Sequence, residues 1–325
     1  MSLLSTHYMG LKLKSPLIIG SSSLTSSLSR MKTAEESGAG AIVMKSLFEE
    51  QINFSIASSA DTSGYPESDD YLSYYTKSHA VDEYLSLIES AKKTIGIPII
   101  PSINCISSET WIDFARNIQN AGADALEVNM FFLPVSSKIS SEHSEKVYLD
   151  LIEKLKVTIS IPFAIKIGQR FSNILYMIEQ FYNRGVNGVV MFNRFYEPDI
   201  DIDNMSIVPS AVFSNPDDRR HVLRWIGMAS ALKLKIDISA STGVHSGADA
   251  IRYLLTGADT VQVCSALYTR GIQYLKTMNK EVEDWMRKMA YNTVDDFRGK
   301  LNYSAIERPS TFERTQFMKY FSSYD

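Results

Sequence analysis

Polar side chains end or interrupt several otherwise apolar stretches. Lys45 closes Ile42-Val43-Met44, Glu127 and Asn129 alternate through Leu126-Glu127-Val128-Asn129, Lys166 interrupts Phe163-Ala164-Ile165-Lys166-Ile167, and Asn193 closes Val189-Val190-Met191-Phe192. A buried ammonium is expensive unless it meets a partner, a ligand or water. Glu127 is the obvious internal mate for Lys166, which gives a structural ion pair; the other reading is a lysine that faces a ligand. Glu127 and Asn129 lie two residues apart, so on a strand both point to one side. Each of these residues alone is weak evidence. Placed together at four strand ends, they form a constellation suited to binding a small molecule.

A second kind of chemistry is written in glycines and hydroxyls. Ser241-Thr242-Gly243-Val244-His245-Ser246-Gly247 runs straight into a helical pattern at 248–255, with Ser246 as its N-cap, and Cys264-Ser265 opens a later helix. Backbone N–H groups of such turns bind phosphate. Neither segment carries a Lys or Arg, so the amides would do most of the work; the plain alternative is a turn plus a cap. The five histidines, His7, His79, His143, His221 and His245, show no HExxH-type spacing, which predicts no metal site. Cys105 and Cys264 are the only cysteines and have no CxxC spacing. That excludes a disulfide framework and a cluster held by four local thiolates, and it fits a reducing compartment.

The elements that must position these residues follow from two interleaved patterns. Glycines 38, 122, 185 and 257, spaced 84, 63 and 72 residues apart, each end a helix-like segment and lead into an apolar strand. Between them, Pro16-Leu17-Ile18-Ile19, Pro98-Ile99-Ile100, Pro162-Phe163-Ala164-Ile165 and Lys235-Ile236-Asp237-Ile238 supply the alternate strands. Helical stripes recur, as in Val81, Tyr84, Leu85, Ile88 and Ala91 or Ile174, Leu175, Ile178, Phe181 and Tyr182. Eight apolar strands alternating with helices predict an α/β fold, a (β/α)8 TIM barrel over residues 1–301. Long loops are expected at 47–80 and 194–216, after strands 2 and 6, on the face where barrels keep their sites. A doubly wound sheet is the runner-up, but no early GxGxxG follows the first strand. Residues 302–325 read as an aromatic-rich tail packed on the barrel or at a dimer interface.

Composition narrows the class further. The 325-residue chain is 45% hydrophobic and 22% charged, enough for a real core, and its net charge of −4 offers no basic excess for nucleic acid. No basic leader precedes an apolar stretch and no run approaches the ~18 apolar residues of a membrane span. A cytoplasmic protein without membrane or nucleic-acid partners is expected.

In order and spacing, these motifs resemble the FMN-dependent dihydroorotate dehydrogenases, closest to the soluble class 1 type, over about residues 6–301. Lys45-Ser46 resembles the family's Lys-Ser after strand 2, Leu126-Glu127-Val128-Asn129 its Glu-Leu-Asn, Ala164-Ile165-Lys166 its Val-Lys, and Gly243-Val244-His245-Ser246-Gly247 its glycine-rich phosphate loop. Thr260-Val261-Gln262-Val263-Cys264-Ser265 resembles its final strand and Asp296-Phe297-Arg298-Gly299-Lys300-Leu301 its closing motif. The resemblance implies FMN on the C-terminal face. Lys45, Ser46, Lys166, Asn193, Gly243, Cys264 and Ser265 would bind it, with phosphate on the amides of the last three. Lys166 would stand near the flavin's N1/O2 side, and Asn129, Asn193 and Asp61 would face substrate. The implied activity is hydride transfer from a CH–CH bond to flavin N5, nominally dihydroorotate to orotate in pyrimidine biosynthesis. A small-molecule substrate, a second electron acceptor of unknown identity and a homodimer are further expectations.

The chain departs from the family on the substrate side. The family's catalytic cysteine position is occupied by Phe132, which cannot take a proton, and its following asparagine by Pro134. Asp61 and Glu67 stand where the family's Asn-Ser-x-Gly-x-Pro-Asn carries amides. The base is therefore unassigned, with Ser136, Ser137 and Cys105 the nearby candidates, and the substrate is open to change. Two alternatives remain: a flavin- or phosphate-binding barrel without redox chemistry, serving a binding or regulatory role, and a cofactor-free sugar-phosphate isomerase using Glu127 and Lys166.

Overall fold

The computed structural model describes residues 3–48, 66–104 and 110–314. Its main sheet has 10 parallel strand segments. They occupy eight positions, two of which are each split in two: β1 (Leu17–Ile19), β2 (Ile42–Val43 and Leu47–Phe48), β3 (Ile99–Ile100 and Ser102–Asn104), β4 (Leu126–Asn129), β5 (Phe163–Ile167), β6 (Gly188–Met191), β7 (Asp237–Ala240) and β8 (Thr260–Val263). Each strand pairs with the next, and β8 pairs with β1 through Val261 opposite Leu17. Ile42 opposite Ile99 and Leu47 opposite Ile103 close the ring between β2 and β3. The expected (β/α)8 barrel is what forms.

Both strand faces are apolar because both are covered. Ile18, Ala41, Val43, Ile100, Ala125, Ala164 and Val190 form one buried cluster together with Tyr8, Met9 and Leu13 of an N-terminal hairpin, Thr6–Tyr8 paired with Leu11–Leu13. The intervening strand residues, such as Leu17, Ile42, Leu126, Ile165 and Val189, pack into a larger cluster with the helices. The helices are α1 (Leu28–Glu36), α2 (Pro66–Thr94), α3 (Thr110–Asn120), α4 (Ser141–Thr158), α5 (Ile174–Asn183), α6 (Arg219–Ser230), α7 (Gly247–Thr256), α8 (Ser265–Arg270) and α9 (Tyr274–Lys288). Glycines 38, 122, 185 and 257 all adopt positive φ, as helix-terminating residues do.

The two long loops are more structured than their composition suggests. Residues 66–80 belong to α2 rather than to a loop. The segment after β6 carries an antiparallel hairpin, Pro198–Asp201 with Ser206–Pro209. Loop-favouring Asp, Asn and Pro concealed it, because only the turn Asp201–Asn204 uses them as turn residues, with Asp201 accepting from the Asp203 and Asn204 amides. The described part of the tail lies on α6: the Tyr303 amide donates to the Gly227 carbonyl at 2.9 Å, and Arg224 reaches the Arg314 carbonyl at 2.7 Å. Phe317, Tyr320, Phe321 and Tyr324 lie outside the described residues.

Candidate functional site

Strand alternation aims one set of side chains into the barrel and, at the upper ends, toward its C-terminal mouth. Glu127 and Asn129 from β4, Lys166 from β5 and Gln262 from β8 belong to this set. All four are buried, Glu127 at 1%, Gln262 at 2%, Lys166 at 6% and Asn129 at 8% exposure. The Lys166 ammonium donates to Gln262 Oε1 at 3.1 Å and lies 3.6 Å from Glu127 Oε1. The Gln262 amide donates in turn to Glu127 Oε2. Asn193 Nδ2 donates to Asn129 Oδ1 at 2.8 Å. Lys166 is thus ion-paired with Glu127 and also lines an open cavity.

That cavity has a volume of about 410 Å3 and is lined by Lys166 and Gln262, Asn193 and Arg194, Ser241 to Val244, Ser214, and Cys264 and Ser265. Its size falls within the ~300–1,000 Å3 of small-molecule and cofactor sites. Thr242 and Gly243 both adopt left-handed backbone, with φ of 78° and 72°. For threonine this costs about 1–2 kcal/mol. The turn is held because Thr242 donates its hydroxyl to the Phe192 carbonyl and accepts the Tyr253 hydroxyl at 2.6 Å. A Cβ at Gly243 would come within 2.5 Å of the Arg219 backbone nitrogen, so only glycine closes it. Burial pushes the Cys264 thiol up, against the nearby Lys166 charge, which leaves it a neutral thiol rather than a nucleophile.

The amides at this end are not all available. The Gly247 N–H at the start of α7 donates to Glu281 of α9 at 2.6 Å, and the His245 N–H to Asp249 at 3.1 Å. Ser246 caps α7 as expected, accepting from the Asp249 amide. The α7 N-terminus is thus already met by the chain's own carboxylates, which leaves the Thr242–Val244 turn and Cys264-Ser265 facing the cavity. A cation does reach the site, although neither segment contains one. Arg194 lines the cavity from beyond β6, its guanidinium held by Asp218 at 2.9 Å and by the carbonyls of Ala211 and Val212. That clamp ties down the segment bearing Ser214, whose amide and hydroxyl both bond Ser265 Oγ at 3.1 Å and whose hydroxyl lies 3.2 Å from His245 Nε2.

Other expected residues sit differently. Ser46 is occupied, its hydroxyl 2.9 Å from Ser21 Oγ and 2.7 Å from Ser102 Oγ. Half-buried Lys45 is not among the residues lining this cavity. Asp61 and Cys105 lie outside the described residues, and Glu67 falls in the first turn of α2. Phe132 packs on the core, its amide donating to Tyr148 OH at 3.1 Å. Its neighbours Phe131 and Leu133 face a second hollow of about 620 Å3, which shares Asn193, Arg194 and Thr242 with the first. Ser136 and Ser137 are exposed on the following loop. Gln262, Arg194 and Ser214 escaped the sequence reading. Only Gln262 left a signal, a lone amide between Val261 and Val263 and two residues from Cys264.

The family profile described as dihydroorotate dehydrogenase matches residues 3–286. The catalytic subunit of dihydroorotate dehydrogenase B (NAD(+)) from Thermoplasma acidophilum is 26% identical over 307 residues, covering 91% of this chain and 98% of that protein. Chloroplastic dihydropyrimidine dehydrogenase (NADP(+)) of Arabidopsis thaliana is 23% identical over 91% of the chain and 76% of its own length. Dihydroorotate dehydrogenase (fumarate) of Saccharomyces mikatae is 24% identical over 68% of the chain and 74% of its own length. Among the described residues no helix is long and apolar enough to cross a membrane. With the profile spanning nearly the whole barrel and its strand-end polar residues, the chain belongs to the dihydroorotate dehydrogenase family.

Proposed function

We propose that the protein is an FMN-dependent oxidoreductase that removes hydrogen from a CH–CH bond of a small planar substrate, with dihydroorotate the nominal one. The observation that carries this reading is a buried ammonium, Lys166, facing an open cavity in a chain of this family. The donor set fits the cofactor: a cation at the floor, carboxamides of Asn193 and Gln262 beside it, and the Thr242–Val244 turn at the far end. Bound FMN would supply a hydride acceptor whose reduced form carries negative charge. Lys166 would stabilise that charge, the Gly243, Cys264 and Ser265 amides would hold the phosphate, and the Asn129–Asn193 pair would orient the substrate. Lys45, Ser46 and Asp61 belong to this proposal on the resemblance alone. The second acceptor is external in this reading, as relatives named for NAD(+), NADP(+) and fumarate suggest.

The proton acceptor is not residue 132, whose phenyl ring packs on the core. The substrate therefore differs from dihydroorotate, or its proton leaves to another group, with Ser136, Ser137 and Cys105 the candidates. Purified protein is expected to show a flavin spectrum. FMN-loaded protein is then assayed with dihydroorotate and its analogues, with Lys166→Ala as control. A colourless protein that takes up no FMN, or turnover no higher than that of Lys166→Ala for every analogue, would refute the proposal.

A further inference from the structure

Two residues that line the cavity, Lys166 on β5 and Gln262 on β8, form a three-residue unit with the buried Glu127 on β4. Gln262 bridges the other two, accepting from the ammonium at 3.1 Å and donating to the carboxylate. Its amide can sit only one way round. Flipping it would press NH2 against the ammonium and the carbonyl oxygen against the carboxylate, two repulsions in a water-poor interior. The direct Lys166–Glu127 separation is 3.6 Å, longer than the ~2.7–2.9 Å of a contact ion pair. Room for the bridge is left by Gly20 just past β1, where a Cβ would come within 3.1 Å of Gln262 Oε1 and 2.8 Å of Cys264 Sγ.

Donor counting gives the consequence. An ammonium has three N–H donors and no acceptor. Gln262 takes one in a hydrogen bond and Glu127 attracts the cation only at the longer distance. The ammonium therefore keeps donor capacity for the cavity that it lines. Without the bridge, two opposite charges buried this deeply close on one another, because their attraction rises as the distance falls and no water competes. The cation then turns from the cavity toward Glu127.

We propose that Gln262 is a positioning residue: it holds the Lys166 ammonium off direct contact with Glu127, so that the positive charge is presented to the cavity. The inference rests on the flavin reading for its consequence, though not for its geometry. Gln262→Met keeps the length of the side chain and removes both hydrogen bonds. It is expected to weaken binding of reduced FMN relative to oxidised FMN about tenfold, which lowers the two-electron midpoint potential by about 30 mV. Gln262→Asn, too short to span both partners, shifts it the same way and serves if the methionine variant does not fold. Glu127→Gln, which removes the competing carboxylate, shifts it upward.

Potentials are read by dye equilibration on FMN-loaded protein. A folded Gln262→Met or Gln262→Asn with the wild-type potential, or a downward shift in Glu127→Gln, overturns the proposal. If wild-type protein binds no FMN, the flavin reading falls and the positioning role is read on cofactor-free protein labelled with 15N at lysine Nζ. There the Lys166 ammonium signal, assigned by its loss in Lys166→Ala, must move in Gln262→Met. An unmoved signal overturns the role on its own.

Discussion

The carboxyl group of Asp259 shows how far the barrel's two ends differ in what they ask of charge. It lies at the N-terminal end, away from the cavity, paired with Arg298 at 2.8 Å and accepting the Ile238 N–H at 2.7 Å. Burial pushes it up to about 7, with the Arg298 guanidinium opposing and Asp237 adding to the rise. A folded-state pKa above the unfolded one means that the native state holds the proton longer. Stability from this group is therefore greatest below the ordinary carboxylate range and is lost as pH rises toward about 7. Asp259→Asn removes that dependence. Urea midpoints at pH 4.5 and 7.5 should show the wild type losing ground to the variant at the higher pH; a wild type that gains ground would contradict the assignment. At the other end, the same cost of burying charge is met by pairing Lys166 with Glu127 through Gln262.

Among the elements, the segment after β6 has the most direct effect on the site. It leaves the strand at Asn193, forms its own hairpin and returns to place Ser214 against Ser265. One side chain anchors the return, since Arg194 holds Asp218 and the carbonyls of Ala211 and Val212. Arg194→Met should free residues 211–218 without unfolding the barrel. Limited proteolysis would then cut there faster while the unfolding free energy from urea titration stays within about 1 kcal/mol of wild type, as expected when only a partly exposed ion pair and loop contacts are lost. Cleavage at the wild-type rate would show that the clamp is dispensable. The hairpin was hidden in the sequence because its strands are only four residues each and are set among Asp, Asn and Pro.

Across the whole molecule, stability depends on sealing the barrel at the bottom while the top stays open. Tyr8, exposed only 1%, packs with Met9 and Leu13 against Ile18, Val43, Ala164 and Val190 inside the ring. Tyr8→Ala should cost on the order of 3–5 kcal/mol, the range for large buried side chains, by urea denaturation. Because this seal is remote from the cavity, cofactor uptake by the folded fraction should be unchanged; a loss below about 1 kcal/mol would place the seal elsewhere.

The sequence by itself determined the barrel, its eight strand positions, the helix-ending glycines and the strand-end polar residues from β2 to β6. All of these depend on local periodicity and backbone conformation, which a single chain displays residue by residue. Only the tertiary structure decided which of those polar groups meet. Gln262 and Glu127 are 135 positions apart in the chain and touch because the ring closes between β8 and β1. Arg194 supplies charge where the Thr242–Val244 turn and Cys264-Ser265 have none, and Glu281 occupies an amide that the sequence left free. Burial rewards a polar group for finding a partner, but it is ring closure and loop return that bring that partner within reach, and neither leaves a local mark.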